Sequence, residues 1–231
     1  STSSGASANT MQYGSNISAY NNLQYHAPAD LLPFSTTFKV GVTPGRAGGT
    51  ANDSSHSVVG TKSNGDMTQY KVTMAPIDGL TLSADYYEFS NMGNQDARQK
   101  REGGSYNAKY SMGAVTVGYG ETIHAPEIRM NTESTTAKIK HYENSAYSIG
   151  FAVNDSLSVS YSEESSERIS TSKDDAGTKT RADVEMEIDT IDVAYTIGGA
   201  TVSLSQSETT NASYTAGDEV VETILSLSMA F

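Results

Sequence analysis

The four histidines of the chain are the first residues to consider as metal ligands, because the 231-residue sequence has no cysteine. His26, His56, His124 and His141 stand too far apart to form a local ligand pair, and none lies in a His-Glu-x-x-His arrangement. Ser and Thr are abundant, yet no Gly-x-Ser-x-Gly nucleophile turn or phosphate-binding loop occurs. We therefore expect no metal, no cofactor and no enzyme active site.

Acidic residues outnumber basic ones and cluster late in the chain. The sequence has 27 Asp and Glu against 15 Lys and Arg, a formal net charge of −12, which argues against nucleic acid as a partner. Asp174 and Asp175, with Glu163, Glu164 and Glu167 nearby, predict an acidic external loop. Such a cluster offers the oxygen ligands that divalent cations use, but a solvated run of charge is the simpler interpretation.

Alternation of apolar and polar residues is the dominant pattern of the sequence. It is clear in Leu80–Tyr86, Tyr147–Val153 and Ile191–Ile197, and it places one set of side chains on each face of a strand. No stretch carries a sustained helical stripe. The sequence predicts an all-β chain of about 11 strands, near residues 22–26, 35–43, 67–76, 79–89, 104–112, 114–121, 137–153, 156–163, 183–197, 200–208 and 220–231.

The connections between these predicted strands alternate strictly between short and long. Turn-forming residues make short links at Pro76–Gly79, Ser111–Gly113, Asn154–Ser156 and Gly198–Gly199. The long polar links lie near residues 44–65, 90–103, 122–136, 164–182 and 209–219. Outer-membrane barrels have short periplasmic turns and long external loops, whereas nothing forces this order in a soluble sandwich. The order therefore predicts a transmembrane antiparallel β-barrel in the bacterial outer membrane.

The two faces of the predicted strands differ in a way that suits such a barrel. One face carries Leu, Val, Ile, Phe, Tyr and Met, and the other carries Ser, Thr, Gly, Ala and Asn, as the wall of a water-filled lumen does. Aromatic residues near strand ends predict an interfacial girdle: Tyr86, Phe89, Tyr119, Tyr161, Tyr195 and Phe231.

Alternate residues of a strand face opposite sides of the sheet, and we call this odd–even rule parity. Parity assigns five charged residues to the lumen: Lys39, Lys71, Asp85, Lys109 and Asp192. Each alternates with apolar neighbours that face outward. A charge on the lipid face costs about 2–4 kcal/mol near the bilayer midplane, so the inward orientation is favoured. The alternative is a position near a strand end, wetted by lipid headgroups and unrelated to permeation.

The last residues of the sequence form an amphipathic strand that ends in an aromatic residue. Leu225, Leu227 and Met229 alternate with polar or small residues up to Phe231. This arrangement resembles the signal that the barrel-assembly machinery recognises in outer-membrane proteins. We therefore expect these four residues to act as an assembly signal.

Several segments resemble trimeric general porins of Gram-negative bacteria. Ala19–Pro28 followed by Phe34–Val42 is similar to the porin segment just after the folded-in constriction loop. Gly79–Tyr87, Tyr110–Gly120 and Leu225–Phe231 are especially similar to porins of marine alphaproteobacteria of the Pelagibacter type. The resemblance implies a sixteen-stranded barrel and a homotrimer for passive diffusion of small hydrophilic solutes and ions. It also implies contact with outer-membrane lipid, lipopolysaccharide and the barrel-assembly machinery.

The strand count bears on how the chain is organised. The first and last predicted strands run in the same direction, whereas single-chain bacterial barrels have an even number of strands. We therefore expect residues 1–231 to form one barrel domain, the C-terminal part of a longer protein. An alternative function is an outer-membrane barrel that acts mainly as a surface receptor or adhesin through its long loops. A barrel enzyme or autotransporter translocator and a soluble all-β adhesin are the remaining alternatives.

Overall fold

A computed structural model describes residues 22–28, 31–44, 66–90, 97–126, 128–129, 139–170 and 183–229. The described chain is built from strands, joined in one place by a three-residue 3-10 turn, Ala212–Tyr214. The strands are β1 (Leu23–His26), β2 (Thr37–Thr43), β3 (Met67–Met74), β4 (Leu80–Phe89), β5 (Ala97–Gln99), β6 (Glu102–Met112), β7 (Val115–Ala125), β8 (Ile128–Arg129), β9 (Ile139–Ala152), β10 (Leu157–Ser170), β11 (Val184–Ile197), β12 (Ala200–Thr210) and β13 (Glu219–Met229).

Eleven of these strands form one antiparallel sheet, and its order follows the chain. The order is β1-β2-β3-β4-β6-β7-β9-β10-β11-β12-β13, while β5 and β8 pair separately with each other. Within the described residues β1 and β13 lie at the two ends of this order. The predicted all-β class is confirmed, and the main sheet contains the predicted 11 strands. No helix in the described part of the chain is long and apolar enough to cross a membrane.

The sheet has one apolar and one polar face, and the apolar face is the more exposed. In β12, Val202 and Leu204 are 40% and 44% exposed, whereas Ser203 and Ser205 are half-buried. We call the side of Val202 and its register neighbours the apolar face, and the side of Ser203 the polar face. A water-soluble protein rarely leaves large apolar side chains exposed over a contiguous surface. This arrangement therefore suits a sheet whose apolar face meets lipid.

Tight turns join the strands at one end of the sheet. Gly113 and Gly198 open the two-residue links β6–β7 and β11–β12 with φ values of 59° and 56°. Such left-handed conformations cost glycine little, because it has no Cβ. In the β9–β10 turn, Asn154 Oδ1 accepts hydrogen bonds from the backbone N–H groups of Ser156 and Leu157, at 2.9 and 3.0 Å. We call this the turn side of the sheet and the opposite end the loop side.

The loop-side ends of some strands extend further than the sequence predicts. β10 continues to Ser170 rather than stopping near residue 163, so Glu163, Glu164 and Glu167 lie in a strand. The prediction that these three residues belong to an acidic loop is wrong, because backbone pairing with β9 and β11 continues past the apolar segment. The rest of that predicted cluster, Asp174 and Asp175, lies outside the described residues. Strands β5 and β8 were not predicted.

The buried apolar residues lie on the polar face, towards the loop side. One cluster contains Tyr142, Met186, Ile188 and Tyr214, and another contains Met67, Tyr87 and Phe89. Phe89 lies on the same polar face as Tyr87 and Asp85 and is 8% exposed, so its assignment to an interfacial girdle is wrong. Its side chain packs against the sheet instead of facing outward.

Candidate functional site

Three of the charged residues that parity assigns to the lumen are direct neighbours across strands. Lys39 pairs with Lys71, and Lys71 pairs with Asp85. Side chains at paired positions project from the same face of a sheet, so the three lie side by side on the polar face. Asp85 Oδ1 accepts hydrogen bonds from the backbone N–H and the hydroxyl of Ser105 at 3.0 and 2.9 Å, while both lysines are exposed.

The other two residues lie on the same face but on other strands. Lys109 lies opposite Gly118, which has no side chain to cover it, and Lys109 is exposed. Asp192 lies between Ser160 and Ser205 on the neighbouring strands and is half-buried. The structure therefore places all five charges on one face, with Lys39, Lys71 and Asp85 adjacent to each other.

Three further charged residues occupy polar-face positions that the sequence analysis missed. Glu164 and Arg168 lie on the same face of β10 as Ser166, two residues to either side of it, and Glu222 pairs with Ser207 across β12 and β13. Glu164 was missed because the charged run after Glu163 was interpreted as a loop. Counting alternate positions back from the outward residues Leu227 and Leu225 along β13 would have placed Glu222 on the polar face.

Charge on the polar face is divided between two parts of the main sheet. In the described strands β2 to β6, polar-face charges are Lys39, Lys71, Lys109 and Asp85. In β10 to β13 they are Glu164, Asp192, Glu222 and Arg168. One part is therefore mainly basic and the other mainly acidic.

A chain of rings lies on the polar face near the loop side. Tyr87 and Phe89 meet edge to face with their centroids 6.2 Å apart, and His124 stacks on Tyr142 at 6.1 Å. The Tyr87 hydroxyl lies 2.5 Å from His124 Nδ1, reaching across β6 at Gly103. A Cβ at Gly103 would lie 2.6 Å from the Tyr87 hydroxyl oxygen, so this contact requires glycine. The rings join three strands that do not all pair with one another.

The loop between β12 and β13 extends this chain of rings. Tyr214 packs on Tyr142 with ring centroids 5.3 Å apart, and its hydroxyl lies 2.6 Å from Ser166 Oγ. The Ser166 hydroxyl in turn donates to Asn144 Oδ1. Arg168 donates from Nη2 to the Tyr214 carbonyl at 3.0 Å, and its guanidinium carbon lies 5.1 Å from the ring centroid. The loop thus lies on the polar face and contacts both β9 and β10.

The apolar face changes character towards the loop side. Tyr86 donates to Glu102 Oε2 at 2.9 Å, and Tyr161 donates to Asp189 Oδ1 at 2.5 Å. Tyrosine at this level has an apolar ring and a polar end, which suits a boundary between lipid and water. The predicted girdle residues found on this face are Tyr86, Tyr119, Tyr161 and Tyr195.

The described part of the predicted assembly signal lies on the apolar face. Leu225, Leu227 and Met229 face outward from β13 and are 72%, 60% and 52% exposed. Phe231 lies outside the described residues. Among the described residues, no group of three or more His, Asp or Glu side chains is placed to hold a metal ion.

Comparison with known proteins identifies the fold. No protein-family model matches the sequence, and a search of curated proteins gives no significant match. Among solved structures, the chain is similar to Salmonella typhi OmpF, in a complex with daunomycin, with a TM-score of 0.62 and 15% sequence identity. The match covers 90% of this chain and 62% of the OmpF chain. The chain therefore has the fold of a Gram-negative porin and spans less than two thirds of the porin chain that it matches.

Proposed function

We propose that this chain forms part of a passive diffusion channel for small hydrophilic solutes and ions across the bacterial outer membrane. A pore of this kind does not need a tight binding site for its solutes. Its width, its polar lining and its charges set which solutes pass. We propose no enzymatic activity and no cofactor.

The observation that carries this proposal is the inverted exposure of the sheet. Exposed large apolar side chains include Ile149 at 48%, Phe151 at 47% and Leu227 at 60%. The residues that alternate with them, and therefore lie on the opposite face, are often Ser, Thr or Gly. Ser148 and Gly150, on either side of Ile149, are examples. Lipid can cover the first face and water the second. A soluble all-β adhesin would leave the first face exposed to water, at a large cost in free energy.

The polar face is the proposed lining of the pore. We assign to it the five charges Lys39, Lys71, Asp85, Lys109 and Asp192. The separation of three lysines from three carboxylates would make one side of the lumen basic, with Lys39, Lys71 and Lys109, and the other acidic, with Glu164, Asp192 and Glu222. Ions in the lumen would then follow different paths according to their sign.

We also propose a strand number, a porin type and an oligomeric state for the protein. We infer a sixteen-stranded barrel of the Pelagibacter type, in which residues 1–231 are one barrel domain completed by further strands. We infer a homotrimer in contact with outer-membrane lipid and lipopolysaccharide. The porin-like fold and the sequence resemblance support these inferences.

Electrical recording tests the proposed channel directly. The protein expressed from its complete natural reading frame should be extracted only with detergent and should change its gel mobility on heating. Added to planar bilayers, it should produce stepwise currents that scale with salt concentration. A protein that is a stable monomer without detergent and gives no steps would overturn the proposal.

The assembly signal needs a separate test. We expect deletion of Phe231 to lower the amount of protein in the outer membrane, with little change in the conductance of assembled molecules, because parity directs this side chain away from the lumen. Removal of the exposed Ser228 hydroxyl (Ser228→Ala) is the control. Membrane levels equal to the unmodified protein after the deletion would exclude a recognition role for Phe231.

A further inference from the structure

We propose that the β12–β13 loop, residues 211–218, is a fixed constriction of the pore on the loop side of the barrel, held by Tyr214. This inference rests on the proposed channel function, because it assigns the loop a role in limiting the size of permeating solutes. The loop differs from an ordinary surface loop in lying against the polar face, which is the proposed lining.

Burial shows that the loop covers the wall of the sheet. Ala212 and Tyr214 are 5% and 6% exposed, although they belong to a connection between two strands. Beneath them Met186 is fully buried and Ile188 is 7% exposed, both at polar-face positions of β11. Apolar side chains fill this part of the polar face, so water cannot line it. The lumen is therefore narrower here than the sheet alone would make it.

Directed hydrogen bonds hold the loop in this position. Tyr214 is anchored by its contact with Ser166 and by Arg168, which donates to its carbonyl and lies over its ring. Asn211 fixes the start of the loop, because its Nδ2 donates to the Glu185 carbonyl at 2.7 Å. Its Oδ1 accepts from the backbone N–H of Gly217 at 3.0 Å, which closes the loop on itself.

The backbone of the loop adopts unusual dihedral angles that the surrounding contacts must maintain. Asn211, Ser213 and Tyr214 have φ values of 51°, 55° and 57°, in the left-handed region that disfavours residues with a Cβ. Such conformations persist when surrounding contacts over-determine them. The contacts of Tyr214 supply this restraint, so the loop is a fixed obstruction and not a swinging lid.

The strand register gives a direct way to remove the loop. Thr210 and Glu219 are paired positions at the ends of β12 and β13, so a two-residue turn can join them. We would replace residues 211–218 by Asn-Gly in the complete protein. Conductance should rise, and the smallest polyethylene glycol that is excluded from the pore should become larger. Ala216→Ser, an exposed change within the same loop, should leave both values unchanged.

Substitutions of Tyr214 alone distinguish the effect of its side chain from the effect of the whole loop. Tyr214→Ala removes the ring and the hydroxyl and should shift the exclusion size in the same direction as the shortened loop. Tyr214→Phe keeps the ring between Tyr142 and Arg168 and should shift it less. The change on gel heating verifies that each variant has assembled.

A thiol test covers the case in which the shortened loop does not assemble. The chain has no cysteine, so Ser213→Cys introduces one thiol at an exposed loop position. A bulky hydrophilic thiol reagent should lower the current of this variant and leave the current of the protein without the substitution unchanged. Unchanged currents after confirmed modification, or an assembled Asn-Gly variant with unchanged conductance and exclusion size, would overturn the constriction. Absence of any channel in the unmodified protein would instead overturn the proposed function.

Discussion

The two ends of the polar face have the same alternating pattern but are filled differently. On the turn side, small hydroxyl side chains pair across strands, as Thr196 with Thr201 at 2.9 Å and Ser203 with Ser226 at 2.6 Å. On the loop side, the same face carries rings and long apolar side chains, with Met186 fully buried. Hydroxyl pairs satisfy one another and leave room for water, whereas rings exclude it. The same face of a sheet can thus be hydrated at one end and tightly packed at the other.

Truncating a buried methionine on the loop side should give the largest effect. Met186→Ala leaves a cavity beside Ile188 and beneath Tyr214, and we expect it to lower the free energy of unfolding by about 2–5 kcal/mol. Ile224→Ala is the control, because Ile224 lies on the same polar face, closer to the turn side than Met186, and its side chain is 37% exposed. Urea unfolding in detergent micelles measures both. Equal losses would mean that the two ends do not differ in packing.

Adding a methyl group between the rings should have the next largest effect. A Cβ at Gly103 would lie 2.5 Å from the Ile123 carbonyl oxygen and 2.6 Å from the Tyr87 hydroxyl oxygen, so Gly103→Ala must displace the Tyr87 ring. We expect a loss of about 1–3 kcal/mol in unfolding free energy, typical of overpacking. Gly150→Ala is the control, because its nearest neighbour would lie at 3.9 Å. A stable Gly103→Ala variant would contradict a close Tyr87–His124 contact.

Reversing the basic side of the proposed lumen should change ion selectivity modestly. Converting Lys39, Lys71 and Lys109 to Glu should move the reversal potential towards cation preference. One charge at ~4 Å in water is worth about 1 kcal/mol and is screened over ~10 Å at 0.1 M salt, so the shift should be largest in dilute salt.

The control for this change is a lysine outside the main sheet. Lys100→Glu alters an exposed position between β5 and β6, and its effect should be smaller than that of any single substitution among the three lysines. An equal or larger effect from Lys100→Glu would mean that the parity assignment of the lumen is wrong.

The smallest effect is expected from a hydroxyl pair on the turn side. Ser203→Ala removes one partner of the contact with Ser226, but water can replace it on an exposed wall. We expect a change of less than about 0.5 kcal/mol in unfolding free energy and no change in conductance. A loss as large as that of Gly103→Ala would show that the turn side is as tightly packed as the loop side.

The sequence predicted the strands well because alternation is a local signal. Every predicted strand of the main sheet begins within two residues of its observed start. Strand ends on the loop side were less well predicted, as in β10, because polar residues can continue a strand above the level of the lipid. Alternation and strand order are enough to place Lys39, Lys71 and Asp85 on the same face of three neighbouring strands.

The aromatic packing could not be predicted, because it depends on contacts between distant residues. Tyr87 and His124 are separated by a strand, and Tyr214 reaches Tyr142 from a loop with no apolar periodicity. One signal was present in the sequence: glycine inside a strand, as at Gly103, often marks a close approach of another group.

Strands β9, β10 and β11 are longer than the apolar layer of a membrane requires. Each has 14 residues, and at a tilt near 45° such a strand rises about 30 Å, more than the apolar band of about 25 Å. Outward residues change from Tyr147 to Glu143 well before β9 reaches its loop-side end. These strands therefore end beyond the apolar band and not at its boundary. Substitutions beyond these strand ends can then change the surface without altering the residues of the apolar band.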